Sequence, residues 1–256
     1  MRLATLTTHE LRERLTKGPL VALVPTGSTE PHGPHLPLET DTRISEEAAS
    51  RAVTLLAARG TAALVAPSVP YGVTDYAGGF AGAIGLRAEV LTAVLSDLAG
   101  RFLAEGFAHV CFVNNHLEPA HDAAVRAAAN AHPEGKVSIA CPLTRRWGRT
   151  LSDEFKRGDC HAGRYETSLV LAAGDDVRAS YMDLPTLTVS LADGIREGKK
   201  TFTELGMPEA YTGAPALATR DEGLALYEKL AEMVATEVEE GLARSAVPAD
   251  VTCVGS

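Results

Sequence analysis

Three short clusters in this 256-residue sequence crowd imidazole and carboxylate side chains together, a donor set that suits zinc, manganese or iron. The first runs Gly27-Ser28-Thr29-Glu30-Pro31-His32-Gly33-Pro34-His35-Leu36-Pro37-Leu38-Glu39-Thr40-Asp41. Glu30, His32, His35 and Asp41 are candidate ligands, and three prolines and two glycines stiffen and turn the chain that carries them. A solvent loop spends charge on solubility but seldom also fixes where the charges point. A rigid turn with incidental histidines is the competing reading. The second cluster is Asn114-Asn115-His116-Leu117-Glu118-Pro119-Ala120-His121. His116 and Glu118 are two apart, so in extended chain they face one way. Glu118 before Pro119 also reads as an ordinary helix start, with a carboxylate favouring the dipole and proline at the first helical position. The third cluster is Asp159-Cys160-His161-Ala162-Gly163-Arg164-Tyr165-Glu166-Thr167-Ser168. Its Cys-His pair suggests a thiol nucleophile, but adjacent side chains rarely face each other and no partner constellation is visible. His161 as a proton donor or as a group that supports a ligand, with Glu166 projecting from the following helix, is the better reading.

The elements that must position these clusters follow from apolar patterning. A helix is expected from about Glu10 to Lys17, capped by Thr7 or Thr8 and stopped by Gly18-Pro19. Leu20 to Val24 is a short continuous apolar run closed by Pro25, as a buried parallel strand reads. Ile44 to Arg59 carries helical spacing, Ala62 to Ala66 repeats the strand pattern, and Ser68 to Gly85 is a long Gly- and Tyr-rich loop of the kind that is often functional. Helices are expected over Arg87–Glu105, Ala120–Ala131, Arg164–Ala173 and Asp221–Arg244, and strands over Ala108–Val113 and Val137–Cys141. Ser180 to Ala218 shows no clear period. Alternating strands and helices predict a three-layer α/β/α sandwich with a mostly parallel central sheet. With no dividing linker and no internal repeat, residues 1–256 are expected to form a single domain. The first two clusters each follow a strand, and open α/β sheets place ligands beyond the carboxyl ends of their strands.

Composition narrows the function. The formal net charge of -9 disfavours nucleic-acid binding, because a phosphate backbone would be repelled. No apolar run approaches membrane-spanning length, and the start lacks the apolar stretch of a secretion signal, so a cytoplasmic protein with no membrane partner is expected. Cys111, Cys141, Cys160 and Cys253 are scattered, which excludes a cysteine-only zinc site and fits a reducing compartment.

The clusters together resemble the creatininase (creatinine amidohydrolase) family. Gly27 to Asp41 reproduces its G-S-x-E-x-H-G-x-H-L-P-L-x-T-D signature, and His161 to Ser168 its H-A-G-x-x-E-T-S segment. The second cluster departs from the commonest form, N-G-H-G-G-N, and carries instead the His-x-Glu of creatininase itself. The resemblance spans roughly Val21 to Leu171. It implies a creatininase-like fold and a binuclear site for two divalent ions per chain, zinc and/or manganese, with Fe2+ a further candidate. Asp41 would bridge, Glu30 and His116 would complete one ion, and His32 and Glu118 the other, with His35 supporting the loop. His161 would protonate the departing nitrogen, and Glu166, the other candidate for completing the second ion, would orient the bound water or a ligand histidine. The implied activity is hydrolysis of a C–N bond, other than an ordinary peptide bond, in a small cyclic amide, formamide or modified peptide. The alternative is a metal-dependent hydrolase of a cyclic ketone or lactone of the sugar or inositol type. Family members that trim a peptide-derived cofactor precursor share the Thr40-to-Ile44 stretch but have the Gly-Gly form of the second cluster. Creatinine is not assigned, because the family's creatinine pocket is aromatic and this chain has one tryptophan, Trp147. A small-molecule substrate and a homo-oligomer, by resemblance a hexamer, complete the expectation.

Overall fold

The computed structural model describes residues 1–174 and 176–246; Cys253 lies outside them. Four strands, β1 (Leu20–Thr26), β2 (Ala62–Val65), β3 (His109–Asn114) and β4 (Val137–Ala140), form a parallel sheet in the order β2-β1-β3-β4. The helices are α1 (Thr8–Thr16), α2 (Thr40–Ala58), α3 (Ala88–Glu105), α4 (Pro119–Asn130), α5 (Arg145–Gly148), α6 (Asp153–Arg157), α7 (Arg164–Ala173), α8 (Leu191–Arg196) and α9 (Arg220–Ala246). The three-layer sandwich is therefore the observed architecture. Val21 and Leu23 of β1, with Cys111 and Val113 of β3, pack on a core shared with α2, α7 and α9. The alternate residues Leu20, Ala22, Val24, Val110 and Phe112 pack on the opposite core against α1, α3 and α4. A strand buried on both faces needs no polar alternation, which is why these runs are continuously apolar. Each fully buried Val, Leu or Phe contributes about 1.5–3 kcal/mol, so the two central strands are the most strongly held part of the sheet.

Local signals explain the element ends. Thr7 caps α1 through a reciprocal pair with Glu10. Gly106, at φ 109°, ends α3. Of the boundaries that differ from the sequence reading, two matter most to the site. β1 continues through Pro25 to Thr26, because β2 has already ended and proline's missing N–H leaves no ladder bond unmade on that side. α2 starts at Thr40 rather than Ile44, so Asp41 lies in the first turn of a helix and not in a loop. Residues 180–218, which have no period, form α8 and two short 3-10 turns at Ala179–Asp183 and Pro215–Leu217, joined by loops. No described helix is long and apolar enough to cross a membrane.

The strand order reverses at β1. From there the chain moves outward to β2, then returns to the other side of β1 as β3. The last register pair of β1 and β3 is Thr26 opposite Asn114; Thr26 immediately precedes the first polar cluster and Asn114 opens the second. The switch point thus brings the first two clusters together at the carboxyl edge of the sheet.

Candidate metal centre

The loop after β1 is pinned at several backbone points. Gly27 N–H donates to Val69 O, Glu30 N–H to Leu38 O and Gly33 N–H to Ala210 O, at 2.8 to 3.1 Å. Gly27 has to be glycine, because a Cβ there would lie 2.5 Å from the backbone nitrogen of Thr42 in the first turn of α2. That close approach delivers Asp41 to the end of β1. Glu30, His32, Asp41, His116 and Glu166 are all buried, and they meet. Three groups of ligand atoms lie within 4.8 Å of one another: Glu30, Asp41 and His116; His32, Asp41 and Glu166; and Glu30, His32 and His161.

The histidines are oriented as metal ligands are. His116 Nε2 donates to Val73 O at 2.6 Å, leaving Nδ1 facing Asp41 Oδ2 at 2.9 Å and Glu30 Oε1 at 3.5 Å. His32 Nδ1 donates to the backbone oxygen of Glu30 at 3.1 Å, leaving Nε2 facing Asp41 Oδ1 at 3.1 Å and Glu166 Oε2 at 3.6 Å. A backbone carbonyl on one ring nitrogen fixes the tautomer and presents the other nitrogen's lone pair. Asp41 Oδ2 is a buried oxygen for which no partner of good hydrogen-bond geometry is found among the described residues, and His116 Nδ1 stands 2.9 Å from it. A carboxylate oxygen and an imidazole nitrogen that converge in this way fit a cation between them.

The charges agree. Burial raises the pKa of Asp41, but His32 and His116 beside it outweigh that and hold the carboxyl well below its ordinary value. Burial lowers the two imidazoles, and the surrounding carboxylates reverse this, raising each to about 10. In the ion-free chain, protons on His32 and His116 therefore supply the positive charge that the carboxylates demand. Glu30 is raised chiefly by burial, and Glu166, for the same leading reason, to about 8.

Not every expected residue joins the groups. Glu118 is in none of the three: its Oε1 accepts the Asp75 N–H at 3.1 Å and its Oε2 the Tyr76 N–H at 3.3 Å. It lines the pocket over the centre, with its pKa raised by burial to about 7. Glu166 stands in one of the groups, with His32 and Asp41, its Oε2 held by the Ala162 N–H at 2.7 Å. Ala162 presents that N–H from φ 50°, a left-handed conformation uncommon outside glycine. His161 commits Nε2 to Pro31 O at 3.2 Å and turns Nδ1 toward Glu30 Oε1 at 3.9 Å. Burial and the neighbouring His32 push its pKa well below the ordinary value. His35 stands apart, its Nε2 on Thr167 Oγ1 at 2.9 Å.

Several contributors carry no motif. The stretch from Val73 to Tyr76 braces three site side chains: Val73 O holds His116, the Thr74 hydroxyl donates to Glu30 Oε2, and the Asp75 and Tyr76 amides hold Glu118. His121, buried on α4, accepts the Val73 N–H and donates to Asn114 Oδ1 at 3.0 Å, locking that stretch to β3. A Cβ on Gly72 would strike the His121 ring, so that glycine is required too. The Gly- and Tyr-rich composition was the only sequence signal for this loop. The far wall of the pocket comes from Leu191, Ile195, Phe202 and Leu205, in the stretch with no recognisable period.

A family model described as creatinine amidohydrolase, "Creatininase", matches residues 4–238. The "Mycofactocin precursor peptide peptidase" of Mycobacterium tuberculosis (strain ATCC 25618 / H37Rv) is 33% identical over 222 residues, covering 82% of this chain and 81% of that protein. The "3-dehydro-scyllo-inosose hydrolase" of Thermotoga maritima is 28% identical over 182 residues, 69% of this chain and 53% of that one. A crystal structure of creatinine amidohydrolase (creatininase) superposes with a TM-score of 0.74 at 20% identity, covering 94% of this chain and 97% of the other, a likeness of fold.

Proposed function

The chain belongs to the creatininase family of hydrolases, and on that premise we propose that it hydrolyses an amide C–N bond of a small or peptide-derived substrate at a two-metal centre. The observation that carries this reading is the pair of ligand groups sharing Asp41, Glu30–Asp41–His116 and His32–Asp41–Glu166, each with its histidine tethered to a backbone carbonyl. The ligand set is thus proposed with Glu166, and not Glu118, as the fifth member. Zinc and manganese suit its mixed imidazole and carboxylate donors. Two such ions, when bound, polarise a carbonyl and lower the pKa of water so that it attacks at neutral pH.

The protein's own groups would do the rest. The backbone tethers hold His32 and His116 in the tautomers that leave their inward nitrogens unprotonated once ions replace the protons. Glu118 lines the same pocket and stands outside this ligand set. It is the group best matched to giving a proton to the departing nitrogen. His161, stacked between His32 at 4.5 Å and Phe202 at 4.4 Å, would form the wall beside the reacting amide.

The peptidase name of the 33%-identical relative supports a peptide-derived substrate, although this chain has Leu117-Glu118 where the Gly-Gly form was expected of such enzymes. The inositol-type alternative finds support in the Thermotoga maritima relative, but a polyol wants many hydrogen-bonding partners and the pocket walls are chiefly apolar. The test is turnover of a panel of formamides, cyclic amides, short peptides and lactones by zinc- or manganese-loaded protein. Hydrolysis of an amide, lost on chelation and regained on adding the ion, is the expected result. Turnover of lactones alone would overturn it. With ions saturating, Glu118→Gln should still lower kcat about 10²-fold or more.

A further inference from the structure

The pocket over the centre is polar on one side only. Its floor is Glu30, Asp41, His116 and Glu166, with Glu118 beside them, whereas its walls are Phe202, Leu205, Leu191, Ile195, Tyr76 and Leu117, and among the described residues no lysine or arginine lines it. The wall reaches the centre directly. The Phe202 ring lies 4.4 Å from that of His161, and the His161 ring 4.5 Å from that of His32. It is also built, not draped. Phe202 N–H donates to Tyr76 O at 2.7 Å, Leu205 N–H to Thr201 O at 3.0 Å and Met207 N–H to Phe202 O at 2.8 Å. Farther along, the Thr212 N–H ties this segment to His161 O at 2.9 Å.

We infer that the group flanking the scissile amide is a neutral, apolar side chain, branched or aromatic, seated against Phe202, Leu205, Leu191 and Ile195. This rests on the two-metal reading above and extends it from the bond to its neighbour. A substrate bearing a carboxylate at that position would lose its hydration and find no cation. A small polar one would leave the apolar wall unfilled.

Hydroxamates test the inference without requiring turnover, because the hydroxamate group seeks the ions and leaves its substituent to meet the wall. Zinc-loaded protein is titrated calorimetrically with acetohydroxamate, isocaprohydroxamate, phenylacetohydroxamate and succinate monohydroxamate, with ion content measured alongside. The two apolar probes should bind about 10- to 100-fold more tightly than acetohydroxamate, and the succinate probe no better than it. Leu205→Ala should shrink the apolar advantage. Ile195→Arg, on the partly exposed face of α8, should bring the succinate probe to parity or ahead. Equal affinity for all four probes, or no response to either substitution at unchanged ion content, would overturn the apolar subsite and leave the two-metal reading standing. Failure of every hydroxamate to bind the loaded protein would overturn both.

Discussion

The two ligand groups share Asp41 but are braced by different parts of the chain. In the His32 group the support is close in sequence to what it supports: Glu30 O holds His32, and the Ala162 N–H holds Glu166 four residues on. In the His116 group it comes from afar. Val73 and Thr74 hold His116 and Glu30 across 43 and 44 residues, and His121 holds Val73 across 48. One half of the centre is self-braced by its motifs. The other depends on a loop without one. A substitution should therefore act on both halves if it touches Asp41, and on one half if it touches a brace.

Asp41→Asn has the largest expected effect. It should lower occupancy at both sites, seen as ion content falling toward zero after dialysis, with activity lost. Loss of a single ion would mean that Asp41 is not shared. Thr74→Val sharpens the comparison: removing the hydroxyl from Glu30 should weaken one ion by about 10- to 100-fold and leave the other within a few-fold, and Thr74→Ser should restore it. Two equally weakened ions would show that the loop supports the whole centre.

The same contrast explains what could be read from the sequence. Glu30, His32, Asp41, His116, His161 and Glu166 sit in dense polar clusters after strands or at a helix start, where burial of several charges together is hard to explain except as a site. The parallel sheet was legible because strands buried on both faces are continuously apolar. Thr74 and Val73 act through one hydroxyl and one backbone carbonyl, which no residue type announces. Phe202, Leu205, Leu191 and Ile195 resemble any core residues, and only the fold turns them toward the centre. Spacing says less about Glu118: two residues from His116 it can face the same way, and only the fold brings the Asp75 and Tyr76 amides to its carboxylate.

A smaller effect concerns pH. His32 and His116 in the ion-free chain are raised to about 10 from an ordinary value near 6.5. A raised folded-state pKa gives stability that is fully present below about 6.5 and is lost as pH rises toward 10. Ion-free protein should thus lose melting temperature between about pH 7 and 10, and loaded protein should not, since ions have replaced the protons. For the same reason ion affinity should fall as pH falls. An ion-free melting temperature that rises across that range would contradict the assignment.

The central claim is that Asp41 is shared between one group completed by Glu30 and His116 and another completed by His32 and Glu166. Elemental analysis of Glu166→Gln and Glu118→Gln, each reconstituted with saturating zinc and freed of excess, tests it most directly. The account predicts one ion per chain in Glu166→Gln and two in Glu118→Gln. Two ions in Glu166→Gln with one in Glu118→Gln would contradict it.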